Sequence, residues 1–268
     1  MRVKPFHFLP AALIFFSCAV DTGLAPTRSG LSGTIYFEHD WPERTDQVMV
    51  VAATVFPPTS LEEIIMSEPL ETFVDSTRYT IWTNPATYAA VGVIWKEQEQ
   101  PWDVTNIIGI YFPTDDRFSP GQVTIPDRDT FVDSIDIEAD LSLARRQVAS
   151  AIEGRLTVAG SWPAGAQSVL LIAAKTILPT SLLDITFGAP IEAGFDSTSY
   201  ALSVQPGTYR LIGALVTEKD RPIGFDSIKG IYKKKPADLL PGSVVVATDT
   251  TRVTNIDISI DFAAATLR

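Results

Sequence analysis

The stretch "FVDSTRYTI", Phe73–Ile81, returns as "GFDSTSYAL", Gly194–Leu202, so that Asp-Ser-Thr-x-Tyr is spelled twice in 268 residues at a spacing of 121. Working outward at that spacing, Trp41-Pro42 meets Trp162-Pro163, and Pro58-Thr59-Ser60-Leu61 meets Pro179-Thr180-Ser181-Leu182. Gly33 meets Gly154, Thr87-Tyr88 meets Thr208-Tyr209, Gly109-Ile110-Tyr111 meets Gly230-Ile231-Tyr232, and Ile135-Asp136-Ile137 meets Ile256-Asp257-Ile258. No gap is needed between Leu31 and Leu141, and roughly a third of the aligned pairs are identical, the mark of a tandem duplication. Each copy has the size of an independent domain. The chain accordingly divides into copies at 31–141 and 152–262, a linker at 142–151 and a short tail at 263–268.

Within a copy the rhythm is that of β-structure. "QSVLLIAAKTI", "TSYALSV", "GTYRLIGALV" and "TNIDISIDF" are short runs rich in Val, Ile, Thr and Tyr, divided by Pro, Gly and Asp. Tyr200, Leu202 and Val204 alternate with Ala201, Ser203 and Gln205, as in a strand that buries one face. About seven such runs per copy predict an all-β chain of two tandem antiparallel β-sandwich domains. "TSLEEI" sets Ser60 and Glu63 at capping-box spacing, with Ser181 and Asp184 as a weaker echo. It predicts one short helical turn in each copy, crossing between sheets.

"VQPGTYRLIGALV", Val204–Val216, places a strand, Pro-Gly-Thr-Tyr and a second apolar strand in a row. This resembles the closing hairpin of transthyretin-like and carboxypeptidase-regulatory-like domains, whose first strand often carries a Gly-x-Val/Ile pattern, as "GTI" and "GRL" do here. Asn84-Pro85-Ala86-Thr87-Tyr88 in the first copy lacks the glycine. The resemblance implies a transthyretin-like sandwich, with an immunoglobulin-like one as the alternative. It also implies an accessory, spacing or binding role and offers no catalytic residues.

The first residues stand apart from the repeats. Arg2 and Lys4 precede an apolar stretch, Phe6–Phe16, too short for a permanent membrane helix, and 1–17 reads as a secretory signal. Ser17-Cys18 after that run resembles the lipobox of bacterial lipoproteins, with Phe15 standing where such motifs usually carry an aliphatic residue. It implies lipidation of Cys18; an ordinary signal cleaved elsewhere is the alternative. Residues 18–30 then serve as a small polar tether. The expected location is beyond the inner membrane, on a lipid anchor at the periplasmic or outer-membrane face. Cys18 is the only cysteine, so no intramolecular disulfide can form and stability must come from packed cores.

Little in the chain suggests chemistry. Of the two histidines, His7 lies in the signal and His39 in a loop opposite Gly160. A Ser-His-Asp triad would rest on His39 alone, and a zinc site built from the usual His and Cys ligands has no set to use. No P-loop or dinucleotide fingerprint occurs. Asp75 and Asp196 precede a strand, where such side chains satisfy turn amides, and Asp136 and Asp257 alternate with isoleucines on a solvent face. No enzymatic activity and no cofactor are expected.

Charge separates the copies: 31–141 holds 20 Asp and Glu against 5 Lys and Arg, whereas 152–262 holds 11 against 10. Such a chain repels polyphosphate, and nucleic acid is not an expected partner. Asp115, Asp116, Asp127 and Asp129, with Asp133 nearby, offer oxygen ligands to calcium or, alternatively, form a solvated acidic face. The run Lys233–Pro236 reads as a solvated loop or as a contact with the acidic copy.

Trp41 and Trp162 recur and read as packing residues, but Trp82, Trp95 and Trp102 belong to the first copy alone, opposite Ser203, Val216 and Ile223. If Trp82 and Trp95 come from adjacent hairpin strands they form an exposed aromatic strip, able to stack on sugar rings or anchor a protein. Cover by loops or by the neighbouring domain is the alternative. The reading is a non-catalytic envelope lipoprotein serving as a protein-binding or scaffold module, with glycan binding through the tryptophans of the first copy as the alternative.

Overall fold

The computed structural model describes residues 29–262, apart from 59, 60, 104, 220 and 222. The signal, Cys18, most of the tether, Ser60 and the tail from 263 lie outside the described residues. Period-two alternation carries the rest into strands. The first half runs β1 (Gly30–Glu38), β2 (Thr45–Ala53), β3 (Ile64–Met66), β4 (Ser76–Trp82), β5 (Ala86–Tyr88), β6 (Ala90–Glu97), β7 (Ile107–Ile110), β8 (Val123–Ile125), β9 (Phe131–Val132) and β10 (Ile137–Asp140). The second runs β11 (Ala151–Ala159), β12 (Ala166–Ala174), β13 (Ile185–Phe187), β14 (Ile191–Glu192), β15 (Ser197–Ser203), β16 (Gly207–Tyr209), β17 (Leu211–Glu218), β18 (Ile228–Ile231), β19 (Val244–Val246), β20 (Arg252–Val253) and β21 (Ile258–Asp261).

The fold is an all-β sandwich built twice. In the first half β4 pairs antiparallel with β1, and β9 and then β10 run parallel along the other side of β1. The facing sheet, β3-β2-β6-β7, is antiparallel throughout. A two-stranded ribbon, β5-β8, completes this half. The second half repeats the plan with β15-β11-β20/β21, β13-β12-β17-β18 and β16-β19, and adds β14 beside β12. Leu31, Ile35, Ile81 and Ile137 meet Val48, Val50, Val91 and Val93 in one core. Ile152, Leu156, Leu202 and Ile258 meet Val169, Leu171, Ile212 and Ala214 in the other. Each such aliphatic side chain contributes about 1.5–3 kcal/mol on burial, so these two interiors are the main source of stability.

The repeated Asp-Ser-Thr-x-Tyr has a physical explanation. The carbonyls of Asp75 and Asp196 accept from the amides of Phe37 and Val158, at 2.8 and 2.9 Å. Four residues on, the Tyr79 phenol donates to the Ile135 carbonyl at 2.7 Å and the Tyr200 phenol to the Ile256 carbonyl at 2.5 Å. Burial pushes both phenol pKa values up, so both hydroxyls remain donors. The segment they clamp bulges across β1 and β11 between the two parallel strands, with Ser134 and Asn255 at φ 65° and 63°. A Cβ at Gly33 or Gly154 would stand 2.1 Å from the clamped carbonyl, so only glycine admits this crossing.

Two expectations need correction. The helical turns, Leu61–Glu63 and Leu182–Asp184, join β2 to β3 and β12 to β13, which are antiparallel neighbours within one sheet. They close a connection within a sheet and do not cross between sheets. At the second turn the echo is a full capping box: Ser181 accepts from the Leu183 amide at 3.1 Å, and Asp184 accepts from the Ser181 amide at 3.0 Å. Nor does Pro-Gly-Thr-Tyr close a hairpin. β15 pairs with β11 and β17 with β12, so the stretch carries the chain from one sheet to the other. Its tyrosine bridges back four residues, Tyr209 donating to the Gln205 carbonyl at 2.8 Å and Tyr88 to that of Asn84 at 3.1 Å.

Candidate functional site

Trp82 ends β4 on its solvent side, opposite Gly30 of β1, and Phe131 opens β9 on the other flank of the same glycine. The two rings meet over Gly30, where Phe131 Cε2 would stand 3.0 Å from a Cβ. Their centroids are 5.3 Å apart and their planes tilted by 56°. Trp82 is 63% exposed and Phe131 39%, so both lie in solvent as one apolar spot on a face otherwise carrying Arg78 and Thr80. At the same places the second half has Ser203 and Arg252, flanking Ala151, and Arg252 is ion-paired to Glu153.

The strip expected from Trp82 and Trp95 is not formed. Trp95 lies on β6 in the facing sheet, wholly buried, with Nε1 donating to Thr45 Oγ1 at 2.9 Å. β4 and β6 belong to different sheets, so alternation counted along one strand says nothing about the face of the other. Trp102 is half-buried against Val51, Ala53, Ile64 and Ile94 on the outer side of that sheet, with Lys96 Nζ 6.0 Å above its ring. Phe131, not singled out from sequence, supplies the second exposed ring. Its opposition to Arg252 was the available signal, of the same kind that marked the tryptophans.

A second concave feature lies between the halves: a cavity of about 360 Å³. Phe56, Ile107 and Ile110 line it from the first half, and Leu170, Ile185 and Phe187 from the second. The joining segment is fastened on both sides. Asn106, buried, donates through Nδ2 to the Arg145 carbonyl and accepts at Oδ1 from the Arg145 amide, both at 2.9 Å. Glu97 accepts from the Gln147 amide at 2.9 Å and from Arg44 Nε at 3.1 Å, while Gln205 donates to the Arg146 carbonyl at 2.6 Å. Beyond the cavity the Leu182 amide donates to the Arg117 carbonyl at 3.0 Å, and the Phe118 and Phe225 rings stand 4.8 Å apart.

The polar groups of this cavity cancel. Arg145 lines it, with burial lowering its pKa and the charge of Asp103 opposing the shift, so it stays a cation at neutral pH. Lys175 is the second cation, and Asp103 and Asp184 are the two carboxylates. Asp103 accepts from the Thr105 amide and hydroxyl at 2.8 and 2.7 Å. Asp184 accepts from the Thr180 amide and hydroxyl at 2.7 and 2.8 Å. Both carboxylates are thereby committed to their own turns.

The acidic residues proposed for calcium are not brought together. Asp116 accepts from the Phe118 amide at 2.9 Å, Asp127 from the Asp129 amide and the Thr130 hydroxyl at 3.0 and 2.7 Å, and Asp133 from the Ser32 hydroxyl at 2.6 Å. Hydrogen bonds from the side chains of Ser119, Thr130 and Ser32 to Asp116, Asp127 and Asp133 respectively, with backbone amides beside them, hold the three carboxyls below the usual range. Asp115 and Asp129 are exposed. Among the described residues no three His, Cys, Asp or Glu side chains converge on a metal-sized site. His39, at φ 67°, is exposed with Nδ1 2.8 Å from Asp140. No helix among the described residues is long and apolar enough to cross a membrane.

No protein-family model matches the chain, and no curated protein matches it. Among solved structures it is similar to a leucine-rich repeat protein from Bacteroides thetaiotaomicron, at 12% identity and a TM-score of 0.38 over 87% of this chain and 26% of that one. The chain thus spans about a quarter of that protein's length. It is also similar to a streptococcal ancillary pilin, at 10% identity and a TM-score of 0.22 over 86% and 69% of the two chains. A shaft pilin from Lactobacillus rhamnosus gives 7% and 0.21 over 86% and 98%.

Proposed function

We propose that this chain is a non-catalytic binding module of a bacterial envelope, held at a membrane through lipid on Cys18, that engages a protein partner through Trp82 and Phe131. The observation that carries the reading is the exposed ring pair over Gly30, 5.3 Å between centroids. Two adjoining aromatic side chains left in water favour association, because contact with a partner removes their apolar area from solvent. Aromatic anchors of this kind dominate the energetics of protein contacts. The commitment of both cavity carboxylates to their own turns supports a non-catalytic role.

Glycan recognition through the same residues is the competing use. A sugar ring stacks best on parallel aromatic faces, whereas these planes are tilted by 56°, which favours a protein contact. The two uses separate in one experiment. The full chain and its Trp82→Ala/Phe131→Ala variant are titrated with a panel of envelope and plant polysaccharides while tryptophan fluorescence is followed, and both are used for affinity capture from native membranes. The proposal expects no polysaccharide response and the loss of one defined protein from the variant's capture. Saturable quenching by a polysaccharide, absent in the variant, would replace it with the glycan reading.

A further inference from the structure

The contact between the halves is one-sided in kind. The first half contributes Phe56 and Pro57 from the β2–β3 connection, Ile107 and Ile110 of β7, and Arg117 and Phe118 from the segment that follows. The second half meets them with its β12–β13 side, through Leu170, Leu182, Leu183, Ile185, Phe187 and Ala189, and with Phe225 from the β17–β18 connection. Each half, as a copy of the other, owns both kinds of surface. One of each is therefore left over.

On the second half the spare surface is the counterpart of the one the first half uses. Ile177, Leu178, Ile231, Leu239 and Leu240 occupy the places of Phe56, Pro57, Ile110, Phe118 and Ser119, and are 39%, 76%, 37%, 95% and 66% exposed. Solvated aliphatic residues scattered singly need no explanation, but four at the counterparts of Phe56, Pro57, Ile110 and Phe118, all of which take part in the contact between the halves, do. On the first half the counterpart of the β12–β13 side is covered in part by that half's own Trp102, which packs in one cluster with Ile64 and Met66, and the remainder is spare. It exposes Leu61 and Ile65, at 39% and 37%, where the second half has Leu182 and Thr186.

Charge distinguishes the spare surfaces from the used ones. Exposed Glu62 and Glu68 stand where the second half presents Leu183 and Ala189 to the cavity. Exposed Lys233, Lys234 and Lys235 stand where the first half has Phe112, Pro113 and Thr114. The interface in use is neutral at Leu183 and Ala189, and the two spare surfaces carry opposite signs around apolar residues.

We propose that the spare surface of the second half docks on the spare surface of the first half of another copy of this chain, repeating between molecules the contact that joins the halves within one. The apolar centres and the opposed charges occur together in a single chain, which makes a second copy the partner that fits both. Such a contact uses different surfaces on its two sides, so it adds molecules head to tail, into a row or a ring, rather than pairing them in a two-fold dimer. Its charged rim steers and orients the encounter and makes it sensitive to salt. The contact lies apart from Trp82 and Phe131 and stands or falls separately from the partner assigned to them.

The test is sedimentation velocity of the full chain in non-ionic detergent, across a concentration series. The expected result is a sedimentation coefficient that climbs with concentration without stopping at a dimer, and an association constant roughly tenfold lower in about 500 mM than in about 50 mM salt. Leu178→Glu/Leu239→Glu is expected to remain monomeric, with circular dichroism confirming its fold. Two charge variants give the sharper outcome: one carries Lys233→Glu, Lys234→Glu and Lys235→Glu, the other Glu62→Lys and Glu68→Lys. Each alone is expected to be monomeric and their equimolar mixture to associate, because only the mixture restores opposite charge across the contact. A wild-type chain monomeric throughout, folded variants that associate like wild type, or a mixture no better than its parts would overturn the proposal.

Discussion

Replacing Asn106 by Ala should loosen the joint between the halves. Its side chain is buried and makes two hydrogen bonds, both 2.9 Å, to the backbone amide and carbonyl of Arg145. Each such bond contributes about 0.5–1.5 kcal/mol, and a donor left buried without a partner costs about 1–3 kcal/mol more. Alanine is therefore expected to destabilise the first half by about 2–4 kcal/mol, since water reaching the cavity satisfies part of what is exposed. With a urea dependence of about 1–3 kcal/mol per molar, the unfolding midpoint should fall by about 1–2 M. Tryptophan fluorescence is a suitable readout, because four of the five tryptophans lie in the first half and Trp95 is fully enclosed. Asn106→Asp keeps the acceptor for the Arg145 amide but sets a buried carboxylate against the Arg145 carbonyl, so at neutral pH it should destabilise at least as much as alanine. Limited proteolysis should open a new cleavage in 142–150 in the alanine variant first. An Asn106→Ala chain with an unshifted midpoint and an intact joint would refute the view that this amide fastens it.

Three further outcomes are expected. Trp95→Ala should cost about 3–5 kcal/mol, as for an aromatic side chain removed from a core, whereas Trp82→Ala should change stability by less than about 0.5 kcal/mol; calorimetry of both variants checks the pair. Gly33→Ala and Gly154→Ala should each destabilise by about 1–3 kcal/mol or more, since the new methyl would meet a carbonyl held by a tyrosine, and their unfolding temperatures read this directly. For Asp133 the folded pKa lies below the ordinary 3.8 because the Ser32 hydroxyl and a backbone amide bond its carboxylate. Its stabilising contribution is present above that ordinary value and is lost as pH falls through the lower folded one. Ser32→Ala should move the carboxyl signal in an NMR titration back up, and an unchanged midpoint would count against the bond.

The fold was legible where the cause is local. Alternation in "TSYALSV" placed Tyr200, Leu202 and Val204 on one face, and all three are buried. The 121-residue repeat pointed to equivalent positions that hold equivalent bonds, such as Trp41 to the Val74 carbonyl and Trp162 to that of Phe195. What failed was what depends on pairing. Nothing in Pro-Gly-Thr-Tyr says whether the chain turns back or changes sheet, and the Trp82–Trp95 strip was lost at that step. The joint was hard to read for a different reason, because the repeat itself does not say how its copies meet and only places where the copies differ can. Asn106, buried opposite Ser227 of the second half, was one trace available, as a polar residue at a place where the copies differ.

The central claim is that the exposed rings of the first half are a protein-binding point, and site-specific photo-crosslinking in the native envelope tests it most directly. A photoreactive residue at Thr80, beside Trp82 on the exposed face of β4, should yield one discrete protein adduct. The adduct should vanish with Phe131→Ala and be missing when the probe sits at Ala201, the matching position of the second half. The same adducts from both positions, or an adduct indifferent to Phe131, would contradict it.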